Sequence, residues 1–431
     1  MTLIPDPRHA DEAHTSGECC TPGRKGLTRR SMLAAMGVTA GAVAVSPLAS
    51  RIAFAADAAY TGDILVILTM HGGWDALSVV PPIGDPSYAT LRPNIGIPSS
   101  LALPAGGIFG LHPALAPLKP YYESGSLGVV HAAGQPNGVR SHFEDEEALE
   151  RGAPGTGART GWLDRVLELR GMGTAFQSVE LGSSMLPGQL VGAAPSLALS
   201  SVADFSLNIW SGYEPYFGTA LSDMHAGLAH PVASQAQLTL AALNGSSAMI
   251  TAGYTPAAGV TYPTSPLGKA LKDLAWMIKS NIGLQVACLD YDNWDMHTGL
   301  GAPGDTTGWM HRQLADVAAC LAAFASDLGT AFNKVNVVTL SEFGRRAKEN
   351  GGGGVDHGLG QAVLAFGGGI NGGQIMGQWP TLAAGSLADG DLAVTTDYRS
   401  ILAEILTKRC GMSSPATVFP GFTPTAVGIA K

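Results

Sequence analysis

Charge is scarce in this chain, and what there is leans acidic. Charged residues make up 14% of the 431, with 34 acidic against 25 basic side chains. Nucleic-acid binding needs a basic footprint, and docking on anionic lipid needs the same sign, so the balance argues against both. Cysteine is rarer still, at five. Cys288, Cys320 and Cys410 lie beyond the N-terminal region, and their spacing matches no zinc motif. One disulfide among them and buried free thiols both remain open. Past the N-terminus no segment offers about twenty uninterrupted apolar residues, so no stable transmembrane anchor is expected. There is no repeat of solenoid length. "GGGINGG" lacks the spacing and following acid of a dinucleotide site, and "GGGG" at 351–354 lacks the Lys-Ser/Thr of a phosphate loop. Glycine is what the chain has in excess: 57 residues, about twice a typical share. Their even spread points to many tight turns.

The N-terminus is a processing segment in its composition. Thr28-Arg29-Arg30-Ser31-Met32-Leu33 precedes a modest Ala/Gly/Val run, and Ala53-Phe54-Ala55 offers a small-x-small cleavage site. This order resembles a twin-arginine export signal over residues 1–55. It implies the twin-arginine translocase as a transient partner and a periplasmic or extracellular location. Cleavage after Ala55 removes six basic and four acidic residues and leaves 19 and 30, a net −11.

Residues 56–431 read as one α/β domain. Ile64 to Met70 is a continuous β-branched run, the pattern of a strand buried on both faces. "SLGVVHAAG", "LQVACLDY" and "KVNVVTL" repeat it. Between them, Leu267, Leu271, Leu274 and Ile278 recur at helical spacing, as do Leu314, Val317, Leu321, Phe324 and Leu328. Buried strands alternating with helices predict a three-layer α/β/α sandwich with a mostly parallel sheet. Residues about 175–265 read as an inserted strand and helix subregion. Such sheets place their sites at the carboxyl ends of the strands. The strands here end in polar clusters: His71/Asp75, Ser141/His142, Asp292/Asp295/His297 and Ser341/Glu342. Asp356-His357 forms a fifth cluster, before another apolar segment.

Carboxylate and imidazole together favour a divalent metal: Zn, Mn, Fe or Ca in different mixtures. Asp295-x-His297 and Asp356-His357 supply two nitrogen/oxygen sets, with Asp75 and Glu342 as harder oxygens. One or two ions held there could clamp a phosphate or sulfate. Ser141 has two readings. "SHFE" fits a capping box, with Glu144 reaching back. Equally, a serine at a helix N-terminus can serve as nucleophile where free N–H groups favour an anion, with Arg140 and His142 beside it as further catalytic candidates. Arg345 and Arg346 either bind an anion or pair with acids.

"RSHFEDEEALERG", "GWLDR", "NWDMH", "TLSEFGR", "VDHG" and "GGGINGGQIMGQWP" resemble the bacterial family catalogued as domain of unknown function 1501. The resemblance runs over nearly all of residues 56–431. That family is similar to the alkaline phosphatase and sulfatase superfamily, which implies an α/β/α sandwich with a metal at the sheet's carboxyl edge. Carried over by position, Asp75, Asp295, His297, Asp356 and His357 are metal ligands, and Ser141 is the nucleophile. Two departures stand out. Glu342 holds the strand-end place where the superfamily often has Asp-His, and no histidine follows His357. The leading expectation is an exported metal-dependent hydrolase of phosphate or sulfate esters. Its rival is a non-catalytic exported binding protein of the same fold that meets a cell-surface partner.

Overall fold

The computed structural model describes residues 60–431, apart from 172, 208, 210, 211, 229 and 230. The twin-arginine pattern and its cleavage site therefore lie outside the described residues.

Nine strands build the central sheet: β1 (Ile64–Met70), β2 (Leu127–Gly134), β3 (Ser178–Leu181), β4 (Leu197–Leu199), β5 (Val286–Tyr291), β6 (Val335–Leu340), β7 (Gln361–Gly367), β8 (Ile375–Met376) and β9 (Thr396–Asp397). Their order is β8-β2-β7-β6-β1-β5-β3-β4, with β9 also paired to β2. Every strand runs the same way except β7, which is antiparallel to both β6 and β2. The mixed α/β class with a mostly parallel sheet is thus as expected. The region read as an insertion contributes β3 and β4 to the sheet edge.

Alternation along the strands shows why both faces are covered. Val66, Leu68 and Met70 pack with Leu271 and Leu274 of α5 (Pro266–Ser280) and with Leu314, Val317 and Leu321 of α6 (Trp309–Leu328). Leu65 and Ile67 face the other way. They pack with Leu149 of α1 (His142–Arg151), with Trp162 and Val166 of α2 (Trp162–Arg170), and with Ile401 and Ile405 of α7 (Tyr398–Lys408). The remaining long helices, α3 (Glu214–His225) and α4 (Pro231–Ala252), follow β4. Cys288, Cys320 and Cys410 are free thiols, the first two buried in these cores.

The reversed strand decides where the site forms. A parallel pair needs a long crossover, whereas an antiparallel pair can be joined at one edge. Residues 341–360 leave the carboxyl end of β6 and enter β7 at the same edge. Asp356 and His357 therefore arrive beside the ends of β1 and β5, although they precede their strand.

Candidate metal centre

The loop after β5 is shaped by what it buries. Asn293 takes φ +72°, a left-handed conformation that asparagine tolerates. Beyond it the side chains alternate: Trp294 and Met296 are buried, while Asp295 and His297 face outward. Trp294 N–H donates to the His71 carbonyl at 3.1 Å, and Val355 N–H donates to the Met296 carbonyl at 3.1 Å. The Trp294 ring meets Trp74 edge to face at 5.6 Å. Gly72, at φ +112°, lies so close that a Cβ would fall 2.6 Å from the Asp295 nitrogen. Only glycine fits that approach. The aromatic anchors thus fix the backbone that presents Asp295 and His297.

Three imidazoles surround Asp295. His142 opens α1, and its Nδ1 lies 2.7 Å from Glu342 Oε1. His297 Nδ1 lies 3.0 Å from Asp356 Oδ1, and His357 Nδ1 lies 3.0 Å from the Arg140 carbonyl. Carboxylates and carbonyls only accept, so each Nδ1 is assigned the proton and each Nε2 is left with a lone pair. Those Nε2 atoms converge. His297 and His357 approach to 3.1 Å, and they stand 3.0 and 3.2 Å from Asp295 Oδ1. His142 Nε2 is 3.8 Å from Asp295 Oδ2. Ligand atoms of His142, Asp295 and His357 all lie within 4.8 Å of one another. Lone pairs and a carboxylate facing one another repel unless a cation shares them. The donor chemistry therefore fits a metal, and the oxygen on each Nδ1 is the usual support for a metal-binding histidine.

Buried groups hold the donors in place. Glu342 is 2% exposed. Besides His142, it accepts from Gly72 N–H at 2.8 Å and meets Ser341 Oγ at 2.9 Å. Arg345, also buried, donates to the carbonyls of Gly73 (2.6 Å) and Val355 (3.0 Å) and to Asp295 Oδ1 (2.6 Å). Burial opposes ionisation of Asp295. The Arg345 hydrogen bond and charge still hold its carboxyl below the usual range. Asn350, then His297, do the same for Asp356.

Several residues take roles the sequence did not assign. Asp75 does not join the donors. It is buried in an ion pair with Arg92, whose Nη2 lies 2.8 Å from Asp75 Oδ1. Arg92 also donates to Ser78 Oγ and to the carbonyls of Arg346 and Ala347. Burial would raise the Asp75 carboxyl, but Arg92 wins and lowers it. His142, read beside Ser141 as a catalytic candidate, turns its Nε2 towards Asp295 and lies in one group with Asp295 and His357. Glu342 faces the Nδ1 of His142. Ser141 is the N-cap of α1, its Oγ accepting from Glu144 N–H at 3.4 Å. The reach back is made by Asp145, not Glu144: its carboxylate accepts from the N–H groups of Val139, Arg140 and Ser141. Arg140, at φ +66°, turns its carbonyl to His357 and its guanidinium to Asp391. Arg346 pairs with the same aspartate. Arg345 pairs with an acid, one of the two readings open to it, whereas no spacing in the sequence links Arg92 to Asp75, and that buried arginine was the missed signal.

No curated protein matches the chain by sequence. Two similar solved structures are the lipoteichoic acid synthase LtaP from Listeria monocytogenes and the PsFucS1 sulfatase from Pseudoalteromonas sp. The first is 8% identical, covering 73% of this chain and 67% of that one, with a TM-score of 0.29. The second is 13% identical, covering 73% and 64%, with a TM-score of 0.30. The chain thus spans about two thirds of the length of each. The family resemblance read from the motifs is met over a narrower span than expected. Asp295, His297 and His357, three of the four converging donors, lie within residues 275–409, the segment that matches the family described as "Protein of unknown function (DUF1501)".

Proposed function

We propose that the chain is a metal-dependent hydrolase of phosphate or sulfate esters, exported by the twin-arginine route to the periplasm or beyond. The observation that carries the metal is the convergence of three Nε2 lone pairs on Asp295. His142, Asp295, His297 and His357 would hold the ion. This nitrogen-rich set suits zinc, manganese or iron better than calcium. A bound ion supplies Lewis-acid polarisation of an ester oxygen. The chain's own groups do the rest. Glu342, Asp356 and the Arg140 carbonyl keep each imidazole in the binding tautomer, and Arg345 aims Asp295. Ser141 is the nucleophile of this reading. It sits between Arg140, whose carbonyl touches His357, and His142, at a helix N-terminus that favours anionic groups. The ester specificity rests on the sequence resemblance.

One observation favours a second reading, a metal-binding protein without catalysis: the Ser141 oxygen already caps its helix. Elemental analysis and a panel of phosphate and sulfate esters separate the two. For hydrolysis, the purified chain binds a transition metal that an Asp295→Ala/His297→Ala variant loses, and Ser141→Ala binds the metal yet turns over no ester. A chain that holds the metal but cleaves nothing on the panel supports the second reading. A chain that holds no transition metal after reconstitution sinks both.

A further inference from the structure

A second group of acids lies on the sheet face under α1. Glu180 belongs to β3, where Val179 and Leu181 pack with α5 and α6. Alternation therefore turns Glu180 to the opposite face. Its register partner on β5 is Cys288, which packs on that opposite face, and Asp290 follows two residues along. Helix α1 adds Glu146 and Glu150. His71 bridges two of these acids, with Nε2 3.0 Å from Asp290 Oδ1 and Nδ1 3.3 Å from Glu146 Oε1. Glu150 Oε1 accepts from Gly188 N–H at 2.6 Å. Four carboxylates thus lie on one side of the sheet, two of them bridged by one imidazole. Among the described residues, no lysine or arginine forms an ion pair with any of them.

Glu180 is the residue without an account. It is 0% exposed, and neither carboxylate oxygen has a hydrogen-bond partner. Burial pushes its carboxyl up to about 10, with Asp290 adding to the rise and His71 opposing it. Buried charges are normally paired or coordinate metals, because an uncompensated one is expensive. Each neighbour has an oxygen to offer: His71 meets Oδ1 of Asp290, and Gly188 meets Oε1 of Glu150.

We propose that Glu180, Asp290 and Glu150 form a second cation site, for a hard divalent ion of the calcium or magnesium class. An all-oxygen set selects such ions, in contrast to the imidazole centre. Their carboxylates come from β3, β5 and α1, and closing on an ion draws them together by side-chain rotation. A bound ion reverses the local preference for a neutral Glu180. The site is independent of the proposed hydrolysis.

Calorimetric titration of the full, chelator-stripped chain with calcium chloride and magnesium chloride tests this. Wild type and Asp295→Ala should each bind one equivalent of at least one ion. Glu150→Gln should bind at least tenfold more weakly, as should Glu180→Gln where that variant folds. No saturable binding to wild type, or a smaller change in Glu150→Gln, overturns the proposal. So does binding that Asp295→Ala abolishes, since the ion would then belong to the imidazole centre.

Discussion

Replacing Glu342 by glutamine probes whether His142 is held as a metal donor. Glu342 Oε1 receives His142 Nδ1–H at 2.7 Å and Gly72 N–H at 2.8 Å. Oε2 faces Ser341 Oγ, which also lies 2.8 Å from the Met70 carbonyl and accepts from Trp74 N–H at 3.2 Å. A glutamine with its carbonyl in the Oε1 position keeps both N–H partners. Its amide then donates to Ser341 Oγ, which gives its own proton to Met70. The hydrogen bonds survive and only the charge is lost. Unfolding should change little. Metal affinity should fall about 10–100-fold, as it does when a carboxylate behind a metal-binding histidine is lost. That is about 1.4–2.8 kcal/mol. Glu342→Ala should differ, because two N–H groups lose their acceptor at about 1–3 kcal/mol each where buried. Competition with a chromophoric chelator, beside thermal unfolding, reads both quantities. A Glu342→Gln chain that binds zinc as tightly as wild type would refute the donor role of His142.

Three further outcomes follow from the ion pairs. Arg92→Met should cost about 3–5 kcal/mol of unfolding free energy, because Asp75 is left buried and alone, while metal stoichiometry stays unchanged; denaturant melts and elemental analysis check both. The depressed Asp75 carboxyl contributes stability that is complete above the unfolded value of about 3.9. It is lost as pH falls through the lower folded value, so wild type and Asp75→Asn should converge in strong acid. At His71, burial lowers the imidazole, but Asp290 and Glu146 together raise it to about 11. Its contribution is therefore complete below the unfolded value of about 6.5 and is lost as pH rises towards about 11. In chelator, the stability gap between wild type and His71→Gln should be widest just below about pH 6.5 and close in alkali. A gap that widens with pH would contradict the bridge.

The layers of the fold were legible because burial writes period into sequence. Ile64 to Met70 and the helical recurrence of Leu314, Val317 and Leu321 identify their elements without any partner. Convergence of the polar clusters followed from strand direction alone. The direction of β7 was not legible, since "QAVLAFG" reads the same either way. Partner choice was also hidden. Asp75 and Asp295 both follow a tryptophan near a strand end, yet one is claimed by Arg92 and the other faces three imidazoles. That difference is set by tertiary contacts far apart in sequence. Glu342 was seen at the right place, but the sequence could not separate ligating from orienting, because a ligand and the group behind a ligand have the same residue type.

The reversed strand has a consequence for how this protein could diversify. Residues 341–360 carry Glu342, Arg345, Asp356 and His357, and both ends of the connection meet the sheet at one edge. Lengthening or exchanging such a connection leaves strand order and register untouched, with an entropic penalty that grows only slowly with length. Two of the converging imidazoles, His142 and His297, would remain in place. Of the four proposed donors, three (His142, Asp295 and His297) thus lie on the scaffold and one, His357, on a segment that can be swapped, which makes the 341–360 connection the natural unit for grafting or for evolutionary drift in reactivity.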